Sequence, residues 1–201
     1  RLAKALHKCR QAVAPKLAEA VRVRLGELAM PDAKFEVQLA PRPDGCGSLG
    51  ADLVELLLAP NPGIPPGPLR EIASGGELSR VMLALLSVAH GSVEGSDDAA
   101  PLLVFDEIDA GIGGHTARAV GEHLRDLARG RQILCITHLP QVAALGERHF
   151  KIAKDSSTVP ASTTVAQCSG DEIVAELVRM LGAGEGDHAA SRHARQLLRA
   201  A

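Results

Sequence analysis

Tryptophan and tyrosine are absent from this chain of 201 residues, and only Phe35, Phe105 and Phe150 carry an aromatic ring. That scarcity argues against an aromatic platform for stacking single-stranded bases, and it requires a core of Leu, Val, Ile and Ala. No apolar run approaches the roughly eighteen residues that span a bilayer, and no secretory leader is visible, so neither membrane insertion nor secretion is supported. The four cysteines, Cys9, Cys46, Cys135 and Cys168, are far apart and form no C-x-x-C pair. Their spacing argues against zinc and for reduced, buried thiols in a cytosolic protein. Also missing is any Gly-Lys pair, and with it the phosphate-binding P-loop pattern. The nearest glycine-rich stretch, residues 45–50, runs into Ala51-Asp52, whose carboxylate would repel phosphate.

What is present suits one ordinary domain. The formal net charge of −2 hides an asymmetry: residues 1–28 hold Arg1, Lys4, Lys8, Arg10, Lys16, Arg22 and Arg24 against only Glu19 and Glu27. A basic helix can mark nucleic-acid contact, and a solvated Lys/Arg-rich helix reads the same way. Leu2, Leu6, Cys9, Val13, Leu17, Val21, Leu25 and Leu28 recur at steps of three and four, which predicts one long helix with an apolar stripe. Pro15 predicts a kink or break near Ala14.

Beyond this helix the pattern predicts strands at 34–40 and 52–58, with Pro/Gly-rich loops at 41–50 and 60–68. A regular helix spans 75–90, with Leu78, Val81, Met82, Leu85, Leu86 and Ala89 on its apolar face. An acidic loop at 91–100 leads to a buried strand at 102–105, a helix at about 115–129 and a buried strand at 133–137. Strand, helix and strand form a βαβ unit, hence a parallel pair. A short helix follows near 141–145. Strands 149–153 and 163–168 pair as a hairpin across a 154–162 loop, and helices at 171–181 and 188–200 finish an α/β chain. His188 and His193 of the last helix receive no role.

Three stretches carry chemistry. Ser74-Gly75-Gly76-Glu77 opens the helix at 75–90, and Ser74 with Glu77 fits a capping box. Capping leaves two consecutive glycines unexplained, since they lower helix propensity and gain only a close backbone approach. Free N–H groups at such a turn can hold an anion. Leu102–Phe105 delivers Asp106 and Glu107 to the C-terminal end of a strand, where α/β sheets bind ligands. Adjacent strand residues point to opposite faces, so both carboxylates serve one site only if the chain turns at Glu107. Surface capping or ion pairing is the alternative reading. His138 follows the apolar run Ile133–Thr137, a position that is often merely structural.

Together these stretches resemble the ATP-binding-cassette ATPases, in the branch that includes the structural-maintenance-of-chromosomes (SMC) proteins. Residues 105–114 and 137–143 narrow the resemblance to the RecN family of bacterial DNA-repair ATPases. It covers essentially the whole chain, and it departs from the commonest signature at Ala73, where transporters usually carry Leu.

The resemblance implies that residues 1–30 end a coiled-coil arm and that 31–201 form the C-terminal lobe of an ATPase head. Ser74, Gly75, Gly76 and Glu77 then become a signature motif that grips the γ-phosphate of ATP on the opposite head. Asp106 becomes the Mg2+ carboxylate and Glu107 the catalytic glutamate that orients water. Asp109, with Gly111–Gly114, falls in a nucleotide-site loop that crosses the dimer interface, and His138 becomes the switch histidine that senses γ-phosphate. The implied partners are the P-loop lobe of the same protein, a second head and DNA, with no membrane, in a cytoplasmic, nucleoid-associated setting. With the P-loop missing and Arg1 in first place, the chain alone is expected to be inactive. The alternatives are a transporter's nucleotide-binding subunit and a non-catalytic dimerisation module.

Overall fold

A computed structural model describes residues 1–71, 74–90, 102–155, 162–184 and 186–201. Ala73, the loop 91–100 and most of the predicted 154–162 loop lie outside the described residues.

Helix α1 (Leu2–Glu27) runs without interruption through Pro15, so the expected break is not there. Pro15 removes one amide donor, and Gln11, whose carbonyl loses that bond, is exposed and open to water. The helix ends where Ala29 adopts φ +62° and the Met30 amide donates to Leu25 O at 2.9 Å, the six-to-one closure of a left-handed helix stop. The apolar stripe is not used evenly. Val21, Leu25 and Leu28 are fully buried, whereas Leu2 and Val13 are 86 % and 56 % exposed. Only the second half of α1 belongs to the core.

β1 (Lys34–Pro41) and β2 (Asp52–Ala59) pair antiparallel, with Phe35 opposite Leu58, and a two-residue β3 (Gly67–Pro68) adds to β2. One end of β2 holds α1 in place. The buried Asp52 carboxylate lies 2.7 Å from His7 Nδ1 and accepts from Arg10 Nη1 at 3.1 Å. Burial pushes the Asp52 carboxyl upward, but the hydrogen bonds from His7 and Arg10 prevail and hold it below the usual carboxylate range. A depressed folded-state value contributes stability that is present above the unfolded value of about 3.9 and is lost as pH falls through the folded value. Thermal melts at pH 5 and pH 3 are therefore expected to diverge more for the wild type than for Asp52→Asn. Equal pH slopes would remove this cluster from the determinants of acid stability.

α2 (Gly75–His90) packs on α1 and on α3 (Gly114–Leu127), and β4 (Leu103–Phe105) pairs parallel with β5 (Ile133–Cys135). The predicted face of α3 is the buried one: Ala117, Val120, Leu124 and Leu127 all lie inside. The face of α2 is rotated from the prediction. Gly76, Arg80, Val81, Leu83 and Ala84 are buried, while Leu78, Met82 and Ala89 stay exposed. Arg80 accounts for the rotation, because its guanidinium is drawn inward to backbone carbonyls. Nor are the two short strands buried on both sides: Val104 and Leu134, direct neighbours in the sheet, are 57 % and 47 % exposed on one face.

α4 (Pro140–Ala143) starts on Pro140, which fits a first helical position. β6 (His149–Asp155) and β7 (Ser162–Cys168) form the expected hairpin, with Ile152 opposite Val165. α5 (Asp171–Met180) and α6 (His188–Arg199) close the chain, and the Asp187 side chain caps α6 by accepting from the amides of Ala189 and Ala190. The core lies between α1, α2, α3, β1 and β4, and a smaller cluster joins α4, α5 and α6 through Ala144, Leu177, Val178 and Ala194. Cys168 is buried and Cys135 half-buried, but Cys9 and Cys46 are exposed free thiols, contrary to the expectation that all four are inside. They sit on the outer half of α1 and in the 41–50 loop, where no core exists to cover them.

Candidate functional site

The site assembles around the loop between β4 and α3. Asp106 leaves the strand, and Glu107 takes φ +56°, a left-handed conformation that is uncommon for a residue with a side chain. This is the turn that two adjacent strand-end carboxylates require. Asp106 Oδ1 accepts from the Glu107 amide at 2.9 Å, and the Ala110 amide donates to Glu107 O at 3.0 Å. Both carboxylate residues are exposed.

The start of α2 is pressed onto this loop. Ser79 Oγ donates to Asp106 O at 2.8 Å, and Arg80 Nη1 donates to Ala110 O at 2.9 Å and Ile108 O at 3.5 Å. Arg80 is 7 % exposed, and its Nε has no hydrogen-bond partner among the described residues. Burial pushes its pKa down, opposed by the charge of Glu77. The capping box is half made, since the Glu77 amide donates to Ser74 Oγ at 3.4 Å.

The two glycines have a cause inside the chain. A Cβ at Gly75 would lie 2.5 Å from Glu107 Oε2, and one at Gly76 would lie 2.8 Å from Ala110 Cβ and 3.0 Å from Glu107 O. The close backbone approach expected from the sequence is therefore made, within this chain, to the Glu107–Ala110 loop.

A second connection runs to the end of β5. Asp109 Oδ2 accepts from Thr137 Oγ1 at 2.5 Å and from the His138 amide at 2.9 Å, and it lies 3.0 Å from His138 Nδ1. Thr137 Oγ1 in turn accepts from the Leu139 amide at 3.0 Å. The family resemblance implies that Asp109 lies in a loop that crosses a dimer interface. In this structure its side chain is 4 % exposed and committed to its own chain, while His138 is 72 % exposed. Nearby, burial followed by the charges of Asp109 and Asp106 pushes the Cys135 thiol up to about 12, leaving it protonated and unreactive.

The predicted site residues thus fall into two contacts that share one loop: Gly75 and Gly76 against Glu107, and His138 against Asp109. No hydrogen bond or ion pair joins His138 to Asp106 or Glu107 among the described residues. Sequence reasoning missed Ser79, Arg80 and Thr137, which tie the loop to its two neighbours. The available signal was a charged Arg80 beside the apolar positions of α2. A cavity of about 580 Å3 lies elsewhere, between the hairpin and α5 and α6, and no predicted site residue lines it.

The chain is similar to DNA repair protein RecN of Treponema pallidum, at 45 % identity over 193 residues, which cover 92 % of this chain and 33 % of that protein. RecN of Streptomyces coelicolor is 43 % identical over 100 % of this chain and 36 % of its own length, and RecN of Haemophilus influenzae is 42 % identical over 98 % and 34 %. The chain therefore spans about a third of the length of these curated relatives. No family model matches it. Among solved structures, an Smc head domain with coiled coil and joint from Pyrococcus yayanosii superposes with TM-score 0.52 at 20 % identity, over 76 % of this chain and 26 % of that one. A structure from work on ATP-driven dimerization and DNA-stimulated activation of SMC ATPases superposes with TM-score 0.50 at 15 % identity, over 90 % of this chain and 99 % of that one. By sequence the chain belongs to the RecN family, and its fold is similar to that of these SMC head structures.

Proposed function

We propose that this chain is the signature-bearing part of an ATP-hydrolysing head, working in recombinational repair of DNA double-strand breaks in the bacterial cytoplasm. The observation that carries the reading is the turn at Glu107, because it brings a strand-end carboxylate pair, a Ser-Gly-Gly helix start and a switch-type histidine onto one short loop. The RecN relatives favour it over a transporter subunit.

The donor set fits Mg-ATP. Asp106 is an exposed carboxylate with Oδ1 engaged by the Glu107 amide, and it would hold a hard cation that accompanies the nucleotide. Among the described residues no group of three or more His, Cys, Asp or Glu gathers to hold a metal ion. When bound, Mg2+ neutralises charge on the transferring phosphoryl group. Glu107 orients the attacking water, and Ser74 with the amides of Gly75 and Gly76 offers donors to a phosphate held by a second head. Reaching that turn requires the Glu107 carboxylate to swing away from Gly75.

The P-loop lobe has a natural seat. β4 and β5 form a two-stranded parallel sheet among the described residues, with Leu102, Val104, Leu134 and Ile136 exposed, whereas parallel sheets are ordinarily covered on both faces. The lobe covers that face in the assembled head. DNA would be tethered through the arm that ends in α1. Of its basic residues, Arg10, Arg22 and Arg24 already pair with Asp52, Glu19 and Glu27, so Lys4, Lys8 and Lys16 are the better candidates for DNA contact. No helix of the described residues is long and apolar enough to cross a membrane.

The test is complementation between two inactive variants of the protein at its natural length. Ser74→Arg is expected to block closure of two heads while leaving ATP binding by one head intact. Loss of the cap alone costs about 0.5–2 kcal/mol of stability and leaves turnover unchanged in folded protein. Mixing Ser74→Arg with a variant lacking the P-loop lysine restores one composite site, so ATPase activity partly recovers. No recovery despite demonstrated subunit exchange removes Ser74 from a role in trans.

A further inference from the structure

We infer that Arg80 is a positioning residue: from the buried side of α2 it holds the loop 106–110 in the bent form that presents Glu107 to the nucleotide site. Among the described residues Arg80 is the one buried basic side chain. Burying a cation is costly, and an apolar side chain of similar volume would avoid that cost. Leaving its Nε without a hydrogen-bond partner among the described residues adds to it. What the guanidinium gains is a hold on backbone: Nη1 donates to Ala110 O at 2.9 Å and to Ile108 O at 3.5 Å.

The preceding residue completes the grip, because Ser79 Oγ donates to Asp106 O at 2.8 Å. Two consecutive residues of α2 therefore anchor both ends of the loop, and the Ala110 amide closes its middle by donating to Glu107 O at 3.0 Å. Glu107 sits inside this frame at φ +56°. A residue with a side chain keeps so sparsely populated a conformation only where its surroundings over-determine it. Turning Glu107 back to negative φ would draw Asp106 O or Ala110 O away from its donor. A shift of the signature turn at the start of α2 is thus passed to Glu107 through Ser79 and Arg80.

The hold on the loop is a property of the fold, whereas its effect on turnover rests on the ATPase reading proposed above. Two measurements on the protein at its natural length separate them. The first is amide exchange followed by mass spectrometry in the peptide spanning 106–112, where the amides of Glu107, Ala110 and Ile112 are hydrogen-bonded. In Arg80→Met exchange there should rise about 10- to 100-fold, the factor that hydrogen bonds from a charged donor are worth. Peptides from β1 and β2 should exchange as in the wild type, and Arg80→Lys, which keeps a buried donor, should show a smaller rise. The second is kinetics: Arg80→Met should lower kcat about 10- to 100-fold, the scale of a misplaced catalytic group. KM should change less than about threefold, since substrate binding is not what is lost, and Arg80→Lys should recover part of kcat. On a Glu107→Gln background, replacing Arg80 should cost nothing further, because the two act as one unit. Should Arg80→Met not fold, Ser79→Ala removes the other anchor and should move exchange and kcat in the same directions. If Arg80 merely packs α2, its loss raises exchange across the whole head and leaves kcat of the folded protein within about threefold of wild type, which overturns the inference. Unchanged exchange at 106–112 overturns it too. Absence of ATP turnover in the wild type overturns the ATPase reading instead, and the exchange pattern still decides the role of Arg80.

Discussion

In the protein at its natural length, and on the ATPase reading proposed above, replacing Glu107 with glutamine is expected to leave nucleotide binding intact and to lower ATP turnover about 100-fold or more, the scale of a lost water-orienting base. The amide keeps the length and shape of the side chain, so the contact beside Gly75 survives and the turn at φ +56° is not disturbed. What is lost is the acceptor strength of a carboxylate toward the attacking water. Asp106 cannot take over, since its Oδ1 is already engaged by the Glu107 amide. With hydrolysis stalled, two heads joined by shared nucleotide should accumulate as a dimer, seen as an ATP-dependent doubling of mass by light scattering. Turnover within about threefold of wild type would assign the water to another residue and leave Glu107 as a turn residue only.

Gly76→Val is expected to destabilise the chain by about 1–3 kcal/mol, the usual range for overpacking a close contact. The added Cβ meets Ala110 Cβ at 2.8 Å and the backbone Glu107 O at 3.0 Å, neither of which can yield without moving the loop. The same loop carries Asp109 and so holds the end of β5, which spreads the strain to His138. Gly75→Ala makes the contrast. Its Cβ meets only the flexible end of Glu107, so a change below about 1 kcal/mol is expected, as for substitutions outside the tightly packed core. Urea unfolding of the two variants beside wild type decides the matter. An unchanged midpoint for Gly76→Val means that α2 does not rest on the 107–110 loop in solution.

Most of the architecture could be read from residue spacing because each element carries a local signal. The 75–90 helix, the α3 face and the 149–168 hairpin follow from periodicity and turn residues, and the bend at Glu107 followed from requiring two adjacent carboxylates to share a site. What escaped depends on contacts distant in sequence. Periodicity finds the apolar positions of α2 but not which of them turn inward, and the pull of Arg80 on Ala110 O settles that. Pro15 reads as a breaker only until its surroundings are known to be solvent. Likewise Gly75 and Gly76 announce a close approach without naming what approaches. The pairing of Asp109 with His138 spans 29 residues, and no local pattern announces it.

The continuity of α1 through Pro15 makes that helix a lever. At 1.5 Å per residue its 26 residues reach roughly 39 Å, and only the end near Val21 and Leu25 is embedded. A rotation of about 10° at the embedded end would sweep Leu2 through roughly 7 Å on that length, unless the contacts of His7 and Arg10 with Asp52 hold. Asp52 therefore acts as a latch partway along the rod. With both contacts made, the outer part of the helix is tied to the sheet at a second point besides its embedded end.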